Sequence, residues 1–272
     1  GVISKKLDLG LLLGDSKFGH AVFNVALKGF NYQNKYPESE IKGVISSFEY
    51  SDYRYENITL DGIYKEGGFN GHLALDDENG LVQVDGFFNA TKPVPDFNLN
   101  VLVKNLRPNE LHLSDKYVGT DFSLKLNADF TGTSVNDLNG YIRLDSLVMN
   151  APDNQGYSLD NLTITAGNIG NKKELQIFSP FMTAVVRGDY SYQSVPTSIL
   201  QTMQRYIPSL ITSKNKKSHP HNNFQFDIHL TDTELFKKVF YIPLDIHMPA
   251  SLKGYFNDTD GLMRVDGYFP EV

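Results

Sequence analysis

The chain has 272 residues, 40 % of them apolar, with no cysteine, no tryptophan and a formal net charge of −7. That acidity, with a pI near 5.5, argues against a nucleic-acid partner, which needs a cationic face. The lack of cysteine excludes disulfides, thiolate catalysis and cysteine-ligated metal.

The mean hydropathy of −0.31 is that of a soluble protein. The run Leu11-Leu12-Leu13 ends far short of the roughly 20 residues a membrane-spanning helix needs. No leader pattern opens the chain, which runs from Gly1 almost directly into a strand-like segment and stops at Pro270-Glu271-Val272 just after another. We expect a piece of a longer protein whose targeting segment lies outside it.

Alternation of apolar and polar residues dominates from the start. "LDLGLLL" (7–13) opens the series, and "FNVALKG" follows with Phe23, Val25 and Leu27 on one face. Next come "EIKGVISSF" (40–48), "NITLDG" with Ile58 and Leu60, "FNGHLALDD" (69–77) and "GLVQVDGFF" (80–88) with Val82 and Val84. "FNLNVLV" (97–103) precedes a helical interruption at "RPNELHL" (107–113), and "FSLKLNADF" sets Phe122, Leu124 and Leu126 against Ser123, Lys125 and Asn127. "GYIRLDSLV" carries Ile142 and Leu144, "NLTITAG" carries Leu162 and Ile164, and "AVVRGDY" carries Val186.

A helix is expected over 196–207, opened by Pro196 and Thr197, with Ile199, Leu200, Met203 and Tyr206 at helical spacing until Pro208 ends it. We read it as a cap over the sheet, followed by a polar loop, "TSKNKKSHPHNN". Then "FQFDIHL" presents Phe226 and Ile228. A third helical stretch, "TDTELFKKVF", has Thr231 or Asp232 as N-cap and Leu235, Phe236, Val239 and Phe240 on one side. "GLMRVDGYF" (261–269), with Val265, repeats six of the nine residues of 80–88 at a distance of 181 positions.

Period two with β-branched and aromatic residues between Asn/Asp/Gly turns means antiparallel strands with one wet face; about fifteen such segments can be counted. Ten glycines fall on the apolar phase: Gly29, Gly43, Gly62, Gly71, Gly86, Gly132, Gly140, Gly188, Gly254 and Gly267. A glycine inside a strand gives up packing, so this phase points to deliberate bending, at Gly86, Gly132, Gly188 and Gly267 above all; the less favoured alternative is scattered bulges or tight contacts within an ordinary sandwich. The template recurs, giving one continuous β-repeat domain over 1–272 with units at about 7–91, 97–192 and a truncated 224–272, interrupted by a helix-plus-loop insertion at 195–222.

Catalytic patterns are missing: no G-x-S-x-G elbow, no phosphate-cradling loop and no H-E-x-x-H. His219-Pro220-His221 lacks a third ligand, and "NDTDG" (257–261) fails the calcium-loop spacing and reads as a hairpin turn. The basic group Lys214, Lys216 and Lys217 is too small to bind phosphate backbones. We therefore expect no enzyme, no metal and no cofactor.

The segments "ADFTGTSVNDLNGYIRLDSLVMN" (128–150), "YSLDNLTITAGN" (157–168) and "FMTAVVRGDYSY" (181–192) resemble the repeats of the TamB/AsmA-like family, most closely the large TamB-type proteins of Bacteroidetes. The resemblance spans nearly the whole chain and is weakest over 195–222. It implies a mostly β fold, a curved antiparallel repeat sheet forming a taco-like or U-shaped groove with two or three short helices. It also implies a periplasmic protein, anchored in the inner membrane by a segment absent here, that moves phospholipid or another acyl-chain lipid to the outer membrane or serves its assembly. A TamA/BamA-type outer-membrane barrel is an implied partner. The residues named above, from Phe23 to Val265, would then line a lipid groove. The alternative is a non-enzymatic structural or adhesive β-repeat scaffold whose apolar face is sealed in a closed core.

Overall fold

A computed structural model describes residues 1–30, 38–89, 92–152, 155–206, 221–241 and 249–268. The protein is mostly β: one open antiparallel sheet of fifteen strands, in which each strand is bonded only to its sequence neighbours. The strands are β1 (Val2–Asp8), β2 (Phe18–Phe30), β3 (Glu38–Tyr50), β4 (Tyr53–Lys65), β5 (Gly68–Asp77), β6 (Gly80–Asn89) and β7 (Asp96–Leu106). They continue as β8 (Asp121–Thr131), β9 (Asn139–Asn150), β10 (Tyr157–Ile169), β11 (Lys172–Phe178), β12 (Met182–Asp189), β13 (Asn223–Leu230), β14 (Ala250–Asn257) and β15 (Leu262–Tyr268). By contact density the chain forms two compact units, Gly1–Asp129 with Leu144–Asp160, and Phe130–Arg143 with Asn161–Val272.

In the first unit the expected strand at 7–13 is only half present. Leu9–Leu13 is a short helix, α1, because the Asp8 carboxylate caps it by accepting from the Leu11 amide at 2.9 Å and Gly14 closes it in the left-handed region. Leu11, Leu12 and Leu13 are 57–85 % exposed. The expected helix at 107–113 is a run of irregular turns, with Leu111 N bonded to Arg107 O four residues back and Leu113 N to Pro108 O five back. These turns fold over the end of β4: Leu111 is fully buried, and the buried Tyr55 donates its hydroxyl to the Leu111 carbonyl at 2.8 Å. Beside them Phe18, Phe48, Tyr50, Tyr53 and Tyr55 pack ring on ring, with centroids 4.8–6.5 Å apart. The acidic turn at the end of β5 serves the same corner. Buried Asp77 accepts from Tyr53 Oη, Glu56 N and Asn79 N. Burial first, then the bond to Asp77, pushes the Tyr53 phenol up to about 12.

In the second unit the expected helix forms as α2, Val195–Tyr206; Pro208 and the lysine cluster lie outside the described residues. The core here is Tyr190, Phe224 and Phe256, and Val195 and Ile199 of α2 pack against it together with Leu175, Val186, Phe226 and Met263. The third expected helix is a single wide turn of π type, Leu235–Val239. Leu235 and Val239 are buried and Phe236 meets Phe181 edge-on at 6.0 Å, while Phe240 points to solvent. Neither Thr231 nor Asp232 is its N-cap: that residue is Glu234, with no side-chain cap, and Asp232 accepts from Glu234 N in a local turn just ahead of it.

Of the four glycines expected to bend the sheet, Gly86 and Gly188 have backbones that only glycine adopts easily, with φ of +140° and +153°. A Cβ at either would also lie about 2 Å from a neighbouring carbonyl, 2.0 Å from Asn98 O and 2.2 Å from Asn223 O. Gly267 sits in β15 opposite Leu252, without positive φ. Gly132 is not inside a strand at all; it lies one residue beyond β8, against the backbone of Asp137 and Leu138.

Candidate functional site: the apolar face

Antiparallel pairing places directly opposite residues on one side of the sheet, so the registers show which apolar residues meet. In the first unit Val25, Gly43, Leu60, Leu73, Val84 and Val101 form one row across six strands. Phe23, Ile45, Ile58, Leu75, Val82 and Val103 form the next. A third runs Leu27, Ile41, Gly62, Gly71, Gly86, Leu99. Its middle is cross-strand glycine, and the Phe69 ring from the adjoining row lies over it, 2.6–2.8 Å from where Cβ atoms would stand at Gly62 and Gly71. Phe122, Leu124 and Leu126 share one phase of β8, as do Ile142 and Leu144 of β9 and Leu162 and Ile164 of β10. In the second unit Ile164, Ile177, Ala184, Ile228, Leu252 and Gly267 make one row. Ala166, Leu175, Val186, Phe226, Gly254 and Val265 make the next.

None of the eighteen residues expected to line a groove is buried: sixteen are half-buried, and Leu27 and Val265 are exposed. Val186 and Phe226 owe part of their cover to the Tyr190, Phe224 and Phe256 core. A second sheet packed on this face would have driven such residues below a tenth of their full exposure, as happens at Tyr55 and Phe256. Lys125 and Arg143 are exposed and Asn127 half-buried on the other side.

That other face is a lattice of opposite charges. Lys42 bonds Asp61 at 2.8 Å and His72 bonds Asp85 at 2.7 Å across the first unit. In the second, Asp227 meets both Lys253 and His229, and Arg187 meets Glu174, whose carboxyl that guanidinium holds below the usual carboxylate range against the opposing effect of burial. A recess of 800 Å³ opens on this polar face of the second unit. Twelve of its sixteen lining residues, Arg187, Gln225 and Tyr255 among them, belong to the polar rows. In this unit the recess therefore opens mainly on the polar side, with Ile177, Ala184, Phe226 and Gly254 of the apolar rows also in its lining.

One buried polar cluster was not anticipated. Asn222 has no solvent exposure, and its side chain accepts from Ser191 N at 2.9 Å and donates to Ser198 Oγ and Asp258 Oδ2, each at 2.9 Å. It fastens the start of α2 to the β14–β15 turn. The signal was Ser191, Ser194 and Ser198 at helical spacing beside a helix start. Of the candidate metal pair, His221 is engaged by Asp258 at 3.1 Å and His219 lies outside the described residues. In "NDTDG" the Asn257 Oδ1 accepts from Thr259 N and Asp260 N, an internally closed turn. Among the described residues no three metal-ligating side chains converge.

What each unit offers chemically is an unspecific apolar face backed by a charged one. The chain matches no protein-family model, no curated protein and no solved structure.

Proposed function

We propose that the chain is a periplasmic segment of a TamB/AsmA-like protein, and that its apolar rows carry acyl chains of phospholipid between the inner and outer membranes. The single observation behind this reading is that eighteen apolar residues keep one phase along their strands, twelve of them aligned in cross-strand rows, and none is buried. Apolar area left against water is unfavourable by roughly 25 cal/mol per Å², so such a face favours an occupant. At a strand spacing of about 4.8 Å, a row over β2 to β7 is about 24 Å long. One leaflet's acyl chains span about half of a 30 Å hydrocarbon core, so a row has length to spare. Each methylene laid on it contributes up to about 0.8 kcal/mol and needs no polar partner, which suits cargo of variable chemistry. Anchoring in the inner membrane by a segment outside this chain, and delivery to a TamA/BamA-type barrel, complete the proposal.

The test is lipid mass spectrometry on protein purified from membrane-containing cells, beside Leu60→Glu and Leu126→Glu. Wild type should carry phospholipid and both variants should lose most of it while keeping their melting temperature within a few degrees, because a half-exposed site can turn a carboxylate to water. No lipid on the wild type, or variants that unfold as core mutants do, would leave the sealed scaffold as the better account.

A further inference from the structure

The recess of 800 Å³ on the second unit has the size of a small-molecule pocket, roughly 300–1,000 Å³. Fourteen of its sixteen lining residues come from β11 to β14. Its charges are already balanced within the protein. Arg187 is bonded to Glu174, Lys253 and His229 meet Asp227 at 3.4 and 3.2 Å, and Arg264 meets Asp266. The capacity left over is for hydrogen bonds without net charge. Gln225 is exposed in a cross-strand row between Arg187 and Tyr255, and its side-chain amide has no hydrogen-bond partner among the described residues. Arg187 gives Glu174 only its Nε–H, one of the five N–H donors of a guanidinium. In the adjoining row of Gln176, Val185, Asp227 and Lys253, Val185 is the one apolar residue. The Tyr255 hydroxyl accepts from Asn257 Nδ2 at 3.0 Å, which anchors the ring beside the recess it lines.

We infer that the recess binds a neutral, extended oligosaccharide laid across the strands along these two rows. An ion entering here has to break a pair that the protein has already made. A hydroxyl does not, because it can donate to a paired carboxylate and accept from a paired guanidinium without displacing either. Neighbouring strands lie about 4.8 Å apart, close to the advance of one pyranose ring in an equatorially linked glycan, so successive rings meet successive strands. Val185 and the Tyr255 ring offer the C–H faces of the sugar an apolar floor. Gln225 and the spare donors of Arg187 meet its hydroxyls. The site lies mainly on the face that acyl chains leave unused, so it stands or falls apart from the lipid reading.

Isothermal titration calorimetry of the 272-residue chain with cellotriose and with triacetylchitotriose should show binding at a Kd of about 1 mM or tighter. The affinity should not change between about 0.05 and 0.5 M salt, because no charge is exchanged. Maltotriose, whose axial linkages curve it away from the sheet, should bind about tenfold more weakly. Gln225→Ala should weaken binding about fivefold at an unchanged melting temperature, since this amide makes no bond in the free protein. Val185→Lys, which fills the floor, should abolish binding with the circular dichroism of the sheet retained. No heat from either extended trisaccharide, equal affinity for maltotriose, a salt-sensitive preference for inorganic phosphate or glycylglycine, or indifference to both substitutions would each overturn the proposal.

Discussion

Asn222→Ala tests whether the buried polar cluster, rather than apolar contact alone, holds α2 on the sheet. The side chain has no exposure, and its loss strands the buried Ser191 amide and removes one donor each from Ser198 and Asp258. A buried donor left unmade costs about 1–3 kcal/mol, and a hydrogen bond to a charged group is worth about 1.5–3 kcal/mol. Asp258 keeps the Asn222 backbone amide at 3.0 Å, and the space left is of a size and polarity that admit a water, so the losses do not add in full. The net expectation is about 3 kcal/mol from the second unit, a large part of the 5–15 kcal/mol typical of a domain. Asn222→Asp keeps the shape but sets a second carboxylate where the amide nitrogen lies 2.9 Å from Asp258. It should be worse than alanine at pH 7 and recover towards pH 4, where one of the pair is protonated. Urea midpoints followed by circular dichroism give the global figure, and amide exchange over 195–202 shows whether α2 is released first. A loss under about 0.5 kcal/mol, or unchanged exchange in α2, would mean that Val195 and Ile199 alone dock the helix.

Asp258 is a carboxylate whose burial alone would raise its pKa, but hydrogen bonds from the Asn222 amide and side chain and from His221 hold it below the ordinary range. A depressed folded pKa contributes stability above the unfolded value of about 3.9 that is lost as pH falls through the folded one; acid titration should destabilise the second unit below about pH 4, and Asp258→Asn should flatten that limb. Tyr53 behaves in the opposite sense. With its folded pKa at about 12 against 10.0, its contribution holds below pH 10 and is lost between pH 10 and about 12, and Tyr53→Phe should remove this alkaline limb in urea midpoints. Gly188→Val should abolish folding of the second unit at 37 °C, because its Cβ would fall 2.2 Å from Asn223 O. Gly132→Val, meeting Asp137 O at 3.1 Å, should shift the 135–137 turn at a loss of about 1–3 kcal/mol, read from thermal melts.

The strands were legible because period two survives wherever one face is wet: 224–230 and 122–130 lie wholly within β13 and β8. The two near-identical segments show where that reading stops. Gly86 takes φ of +140° and Gly267 does not, since the first is pressed between β5 and β7 and the second lies in an edge strand; identical residues adopt different backbones according to who their neighbours are. The helix at 9–13 was written in its caps, Asp8 and Gly14, but three leucines in a row carry no period and were absorbed into the strand series. At 107–113 the composition suits a helix, yet Tyr55 fixes the Leu111 carbonyl and the segment stays a turn. Which apolar rows remain bare, and which face holds a recess, depend on contacts far apart in sequence that alternation does not encode.

The strict neighbour-to-neighbour strand order has a mechanical consequence. Because every strand is held only by the two that precede and follow it, most pairings close over a short turn, the long connections at 107–120, 190–222 and 231–249 excepted, and each hairpin can add to the last as it emerges. Pulled from its ends, such a sheet should peel strand by strand in a staircase of small steps instead of one rupture, as arrays of nearest-neighbour modules do. The same order lets a hairpin be duplicated or deleted in mid-sheet with disturbance confined to the two strands that flank it, so the length of the apolar track can change over evolution one hairpin at a time.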